Sequence, residues 1–351
     1  MIMKEKMKAV VKVRGEFGGT EWRTVEVPRP GPNDVLIKVD VVSICGTDVH
    51  IYEWNKWAHD RIKTPRIYGH EFAGHIVEKG ANVSNVKIDD YVSGECHIAC
   101  GYCHNCRSRL MHICENTKIL GIDDDGIFAE YVKMPAMNVW KNDPSLKPEL
   151  ASIQDPLGNA VHAVFRCRVT TNNVVVFGVG PIGLLCVAVC KAIGAGQVIA
   201  VDYNNKYRIE LAKKVGADYA VLSAETNVVD FVKEKTGGRG ADVLIECAGA
   251  ANAIGDCFNM MRPGGEMAIL GLFGQNVSID FPKDIVFKYA NIYGINGRLI
   301  WDTWYHMAGL FRNKKFDVSP IITHKYKFDD FEKGMEKMMS GQSGKVVLTL
   351  D

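Results

Sequence analysis

Four cysteines, Cys100, Cys103, Cys106 and Cys114, follow the pattern C-x2-C-x2-C-x7-C. Short loops between them bring four sulfurs to one point, and closed four-thiolate coordination leaves no open position for chemistry. The spacing predicts a structural zinc holding a lobe, residues 96–116, that has little core of its own. An iron–sulfur cluster is the alternative occupant of such a thiolate set. His97, His104 and His112 lie close by but are not needed as ligands. A second, sparser set begins at Cys45, which opens Cys-Gly-Thr-Asp-Val-His, and continues at His70-Glu71. A cysteine, a histidine and a carboxylate far apart in sequence can converge on a catalytic metal.

A third pattern points to a nucleotide. Gly178, Gly180 and Gly183 form G-x-G-x-x-G directly after the apolar run NVVVF. Such a run of glycines means little alone, but here a strand precedes it and a helix follows. The first glycine allows a tight turn, the second lets the backbone approach a pyrophosphate, and the third permits close helix packing. Pro181 sits early in the helix, where its missing N–H costs nothing, and the helix N-terminus offers N–H groups to phosphate. Asp202 lies about twenty residues on, where a ribose-binding acid is required. That acid favours NAD, because it repels the 2′-phosphate of NADP. Tyr203 follows it, and Arg208 is placed to flank the adenosine. A glycine-rich turn without ligand is the plain alternative.

The elements that must position these residues fall into two styles. The chain has 351 residues, 47% hydrophobic and 24% charged, which is too long for one comfortable core and implies two domains. Up to about Asp155 it reads as short strands and turns, among them AVVKV, DVLIKVDVVSI and HIVEKG, the pattern of a mostly antiparallel β domain. After Asp155, strands alternate with helical stretches: NVVVF, QVIAVD, YAVL, ADVLIE, EMAILG and NIYGIN. This predicts a parallel sheet built from βαβ units and ending near Asn296. The tail from Gly297 carries a helix around TWYHMAGLFR and a terminal strand KVVLTL.

Composition excludes other classes. The net charge of +1 gives no global field for nucleic acid or acidic membrane. The longest apolar stretch, Val174 to Cys190, is interrupted by Gly178, Gly180, Pro181 and Gly183 and falls short of a spanning helix. No targeting segment is visible at the start, so a cytoplasmic location is expected. Eleven cysteines, an odd number, do not suggest a disulfide framework. Cys96, Cys167, Cys186, Cys190, Cys247 and Cys257 read as free thiols packed as small hydrophobes.

CGTDVH, GHEFAGHIVEKG, CGYCHNC with Cys114, and GVGPIG together resemble the medium-chain dehydrogenase/reductase family across nearly the whole chain. CGTDVHIYEW, DPLGNAVHA, TWYHMAGL, VSPIITH and SGQSGKVVL resemble the branch of it that acts on L-threonine. The resemblance implies an α/β architecture: a GroES-like, mostly-β catalytic domain at 1–158 and 297–351, interrupted by a doubly wound, NAD-binding Rossmann domain at 159–296. It implies a homotetramer and two zinc ions per chain, one catalytic and one structural. Cys45, His70 and Glu71 match catalytic-zinc ligand positions. Where alcohol dehydrogenases carry a second cysteine ligand, this chain has Asp155. Direct zinc binding, binding through water and proton transfer all stay open for Asp155. Ile182, Leu270, Gly271, Leu272, Ile295 and Asn296 are implied coenzyme contacts.

The chemistry expected of this set is oxidation of the L-threonine β-hydroxyl by NAD, giving 2-amino-3-oxobutyrate. Zinc acts as Lewis acid on the hydroxyl, and its proton leaves through Thr47 and His50. His97 and Arg298 are candidate partners for the carboxylate and ammonium of the substrate, with a coenzyme-phosphate or solvated surface role as alternatives for Arg298. The nearest rival is a polyol or 2,3-butanediol dehydrogenase sharing every zinc and NAD residue. A zinc-lobed nucleic-acid binder is the rival of another class, and balanced charge argues against it.

Overall fold

The structure, a computed structural model, describes residues 5–350. Contacts between Cα atoms divide the chain into two units, one of residues 1–155 and 322–351, the other of residues 156–321.

The first unit is built on the strand Asp34–Ser43. It pairs antiparallel with Glu71–Lys79 on one side and, at its two ends, with Tyr131–Pro135 and Lys345–Thr349 on the other. The full sheet has seven strands, and Ile322–Lys327 closes one edge by pairing parallel with Lys345–Thr349. The near-continuous apolar run of Asp34–Ser43 reflects burial on both faces, since successive side chains point to opposite sides. Val35, Ile37 and Val39 enter the main core, whereas Leu36 packs with Met7, Ala9 and Val11 beneath a smaller three-stranded sheet. The C-terminal segment thus supplies a strand to the heart of this unit, and Phe331, Met335, Val346 and Leu348 belong to its main core.

The second unit is a six-stranded parallel sheet. In chain order its strands are Asn173–Phe177, Gln197–Asp202, Tyr219–Leu222, Ala241–Glu246, Met261–Ile269 and Asn291–Gly294. Their spatial order is 3-2-1-4-5-6, with the reversal of winding between Asn173–Phe177 and Ala241–Glu246. This is the Rossmann arrangement, which binds dinucleotides outside the carboxyl ends of the strands at that reversal. The helix Pro181–Ala192 is apolar nearly all round, and eight of its residues are buried, as expected of a helix covered on most sides.

The resemblance assigns the tail to the catalytic domain from residue 297. By contacts, it joins the first unit only from Ile322, and residues 297–321 lie with the second. The reason is packing against the helix Gln154–Arg166. Arg298 Nη1 donates to Asn159 Oδ1 at 3.2 Å, His162 Nδ1 lies 2.9 Å from the Gly297 carbonyl, and the rings of Phe165 and His306 are 4.5 Å apart. The strand over EMAILG begins earlier than its apolar run, at Met261. Among the described residues no helix is long and apolar enough to cross a membrane. The six scattered cysteines are free thiols, all buried except the half-buried Cys247.

Candidate metal centres and dinucleotide site

Cys45 is the N-cap of the short helix Gly46–Glu53. Asp48, three residues on, accepts the Cys45 N–H at 2.8 Å and so fixes the turn that presents the thiol. His70 stands at the mouth of the strand Glu71–Lys79, which Asp34–Ser43 holds in register. One potential ligand atom each from Cys45, His70 and Glu71 fall within 4.8 Å of one another.

The electrostatics of this pocket call for a cation. Asp48 and Glu71 are fully buried, His70 and Asp155 nearly so. Burial alone would depress the His70 pKa, yet Asp48, Cys45 and Asp155 hold the imidazolium up to about 10. Burial pushes Asp48 up to about 6 against the pull of His70. Asp48 Oδ1, His70 Nδ1 and Glu71 Oε1 make no hydrogen bond, which is costly for buried polar atoms unless a ligand completes them. A thiol, an imidazole and carboxylates gathered in one buried pocket form a donor set suited to zinc. The residues present therefore fit the metal.

Glu71 is held from behind. Its Oε2 accepts from Ser43 Oγ and from the ammonium of Lys345, which is itself buried and also donates to the Ile44 carbonyl at 2.8 Å. Burial works against the charge on Lys345, but Glu71, Cys45 and Asp48 outweigh it and raise the pKa. Asp155 lies outside the compact three-residue group and acts on His70 through charge. The adjacent Gln154 is anchored: its Nε2 donates to Asn142 Oδ1 at 2.8 Å, Ser93 Oγ at 3.1 Å and the Ala151 carbonyl at 3.1 Å. Thr47 Oγ1 is 3.7 Å from Cys45 Sγ. His50, one helical turn further, is exposed.

The four-cysteine lobe meets a stricter geometric test. All four sulfurs fall within 4.8 Å of one another, with Cys103–Cys114 at 3.8 Å and Cys100–Cys106 at 4.0 Å. A zinc–sulfur bond of about 2.3 Å in a tetrahedron requires sulfurs about 3.8 Å apart. Backbone N–H groups of Cys100 and Asn116 both point at Cys114 Sγ at 3.3 Å, and that of Cys103 at Cys100 Sγ at 3.4 Å. Burial opposes ionisation of Cys100, but the backbone N–H groups of Tyr102 and Cys103 and the Asn116 side chain bring it down to about 6. Next to the lobe, His97 Nδ1 lies 3.0 Å from the fully buried Glu95 carboxylate, while Asn138 Nδ2 donates to the carbonyls of both residues at 2.9 Å.

In the second unit, Gly178 has φ +89° and its N–H donates to the Val201 carbonyl at 2.8 Å. A Cβ on Gly183 would stand 2.0 Å from the Gly178 carbonyl oxygen, so the helix reaches the strand only because that atom is missing. Asp202 accepts the N–H of Val179 at 3.3 Å and of Asn205 at 3.2 Å, one through each oxygen. The nearest side-chain atom to Gly180 is Arg208 Nη1, 3.9 Å from where a Cβ would stand. Ile182 is half-buried in the first helical turn. Leu270, Gly271, Leu272, Ile295 and Asn296 all follow the carboxyl ends of strands, and Leu272 is 93% exposed.

The alcohol dehydrogenase GroES-like domain matches residues 31–144, and the zinc-binding dehydrogenase domain matches residues 181–313. A protein of Pyrococcus abyssi named L-threonine 3-dehydrogenase is 50% identical over 99% of this chain and 100% of its own length. The chain belongs to the L-threonine 3-dehydrogenase family. Among solved structures, an alcohol dehydrogenase of Thermus sp. ATN1 superposes with TM-score 0.90 at 27% identity, covering 98% of this chain and all of the other. A 2R,3R-butanediol dehydrogenase of Bacillus subtilis gives 0.88 at 28%, with the same coverage.

As a member of this family the chain is a zinc-dependent dehydrogenase using a nicotinamide dinucleotide. The structure brings Cys45, His70 and Glu71 together and gathers the four cysteines of the lobe. Gly178, Asp202, Leu270, Gly271, Leu272, Ile295 and Asn296 lie at or just past the ends of Rossmann strands, Gly180, Ile182 and Gly183 at the start of the helix Pro181–Ala192, and Arg208 in the helix Lys206–Lys214. Arg298 is 1% exposed, which excludes the solvated surface role. Sequence reasoning missed the supporting residues Asp48, Ser43, Lys345 and Glu95. Asp48 had a legible signal, an acid three residues after the helix N-cap. Lys345 had a weaker one, a charge heading an otherwise apolar strand. Ser43 and Glu95 had none.

Proposed function

We propose that the chain oxidises the β-hydroxyl of L-threonine with NAD, giving 2-amino-3-oxobutyrate, NADH and a proton. The substrate assignment rests on the end-to-end likeness to a relative of that name. The chemistry rests on the buried anionic pocket around Cys45, His70 and Glu71. When bound there, zinc supplies Lewis acidity that lowers the pKa of the substrate hydroxyl, and NAD supplies the hydride acceptor. Thr47 takes the hydroxyl proton at Oγ1 while passing its own to His50, and His50 releases it to water. Asp155 adds negative charge that favours a cationic centre. His97, oriented by Glu95, and Arg298, pinned by Asn159, are the residues assigned to anionic groups of substrate or coenzyme. The same reading carries two zinc ions per chain, the structural one from the cysteine spacing and the catalytic one partly from the family resemblance, a homotetramer from that resemblance, and a cytoplasmic location.

Two experiments test it. Initial rates of coenzyme reduction with L-threonine, sorbitol and 2,3-butanediol separate the threonine reading from the polyol and butanediol readings, which need the same zinc and coenzyme residues. L-threonine alone is expected to turn over. Run in parallel, NAD is expected to outperform NADP on the order of 100-fold, because Asp202 meets a 2′-phosphate as a like charge. Preference for a diol would overturn the substrate. His50→Asn is expected to lower kcat about tenfold near neutral pH, less than a full general acid–base effect because water can substitute in part. Zinc content should stay intact. Unchanged turnover removes His50 from the relay.

A further inference from the structure

The strand Ala241–Glu246 ends at the reversal of the sheet, beside the strand that carries the glycine loop. Its last residue, Glu246, is 1% exposed, and the mechanism above makes no use of it. We propose that Glu246 is a positioning residue for the coenzyme: it ties the turn at 247–249 to the loop at 270–272 and so fixes the backbone that receives the nicotinamide half. This rests on the reading that Leu270, Gly271 and Leu272 contact the coenzyme.

Glu246 holds both loops at once. Its Oε1 accepts the N–H groups of Ala248 at 2.8 Å and Gly249 at 2.7 Å. Its main-chain carbonyl accepts those of Leu270 at 2.8 Å and Gly271 at 3.2 Å. The two loops touch through backbone: a Cβ on Gly271 would stand 2.2 Å from Gly249 N and 2.3 Å from Glu246 Oε2. On the opposite side the turn abuts the glycine loop, since a Cβ on Gly178 would stand 2.6 Å from Ala248 N, and Cys247 N donates to the Phe177 carbonyl at 2.8 Å. The turn is therefore wedged between the segment expected to bind pyrophosphate and the segment expected to bind nicotinamide. Burial raises the Glu246 pKa, while the N–H groups of Gly249, Ala248 and Gly271 favour the carboxylate. A side chain fixed at this junction sets the relative height of two loops that a single extended ligand must contact, and a small misplacement there weakens binding without touching the fold.

The test uses full-length protein and three variants. Glu246→Gln keeps the shape and can keep both N–H groups on its amide oxygen, but removes the charge that strengthens those bonds and puts an NH2 where Oε2 stood. Glu246→Asp keeps the charge but withdraws it by one carbon. Gly271→Ala forces the loops apart by itself. For each, NADH binding is titrated by fluorescence without substrate, the melting temperature is measured with and without NADH, and steady-state constants are taken with L-threonine. Glu246→Gln is expected to raise the NADH Kd and the KM for NAD about tenfold, the loss of charge assistance from two hydrogen bonds. The kcat and the KM for L-threonine at saturating NAD should move less than twofold. Glu246→Asp should recover part of the loss, and if Glu246→Gln does not fold, a rise of about threefold in the Asp variant carries the test. An NADH Kd within twofold of wild type in the folded Gln variant overturns the proposal, even if its melting temperature falls. If Gly271→Ala still weakens NADH binding, the loop reading survives that failure; if neither variant weakens it, the loop reading falls as well.

Discussion

Cys45→Ser should abolish turnover, by on the order of 10³-fold or more, and remove one zinc ion per chain while leaving the other. The serine oxygen is a harder donor than a thiolate, stays protonated, and sits closer to the backbone, so it neither neutralises the metal nor reaches it as sulfur does. The effect is local, because the pocket's framework does not depend on the sulfur. Asp48 still accepts the N–H of residue 45, and Lys345 and Ser43 still hold Glu71. Metal analysis and initial rates on the same preparation check this. A variant with two zinc ions and near-normal rates would remove Cys45 from the catalytic site.

Cys103→Ala should have the largest structural consequence. The buried core of the lobe consists of Ala99 and three of the four cysteines, with Cys100 and Met111 packed against it. Its regular structure is a two-residue strand, a helix of four residues and a 3-10 turn of three. Such a segment buries too little apolar surface to order itself, so metal binding is its folding free energy, on the order of 10 kcal/mol in isolated zinc modules. Part of that loss falls on the lobe alone, and the remainder is expected to lower the melting temperature by about 10 °C. Trypsin should cut at the exposed Arg107 or Arg109 at least about tenfold faster. Native stability with unchanged proteolysis would show that the four thiols hold no metal. Iron and visible absorbance in the purified wild type would assign the site to an iron–sulfur cluster instead.

Most of the site was legible because its residues come in motifs whose spacing is itself the geometry. Four cysteines close in sequence have little choice but to converge, and G-x-G-x-x-G after a buried strand specifies its own turn. The strands were legible for the same reason: NVVVF and QVIAVD are buried on both faces, and their periodicity says so. What escaped was long-range. The residue behind Glu71 is Lys345, 274 positions away in sequence, and only the return of the final strand to Asp34–Ser43 brings it there. The grouping of residues 297–321 with the Rossmann unit also depends on distant partners, Arg298 on Asn159 and Phe165 on His306. Glu95 resembles any acid at a strand end until His97 is seen against it. Supporting residues are selected by three-dimensional contact and leave no local pattern.

The hydrogen on the β-carbon of L-threonine is expected to leave as hydride and to be captured by NAD. L-threonine deuterated at Cβ, turned over with NAD in ordinary water, tests it directly when the reduced coenzyme is weighed by mass spectrometry. One deuterium per NADH is the predicted result. Unlabelled NADH, or no NADH at all while zinc and coenzyme are bound, would rule out hydride transfer from Cβ of L-threonine.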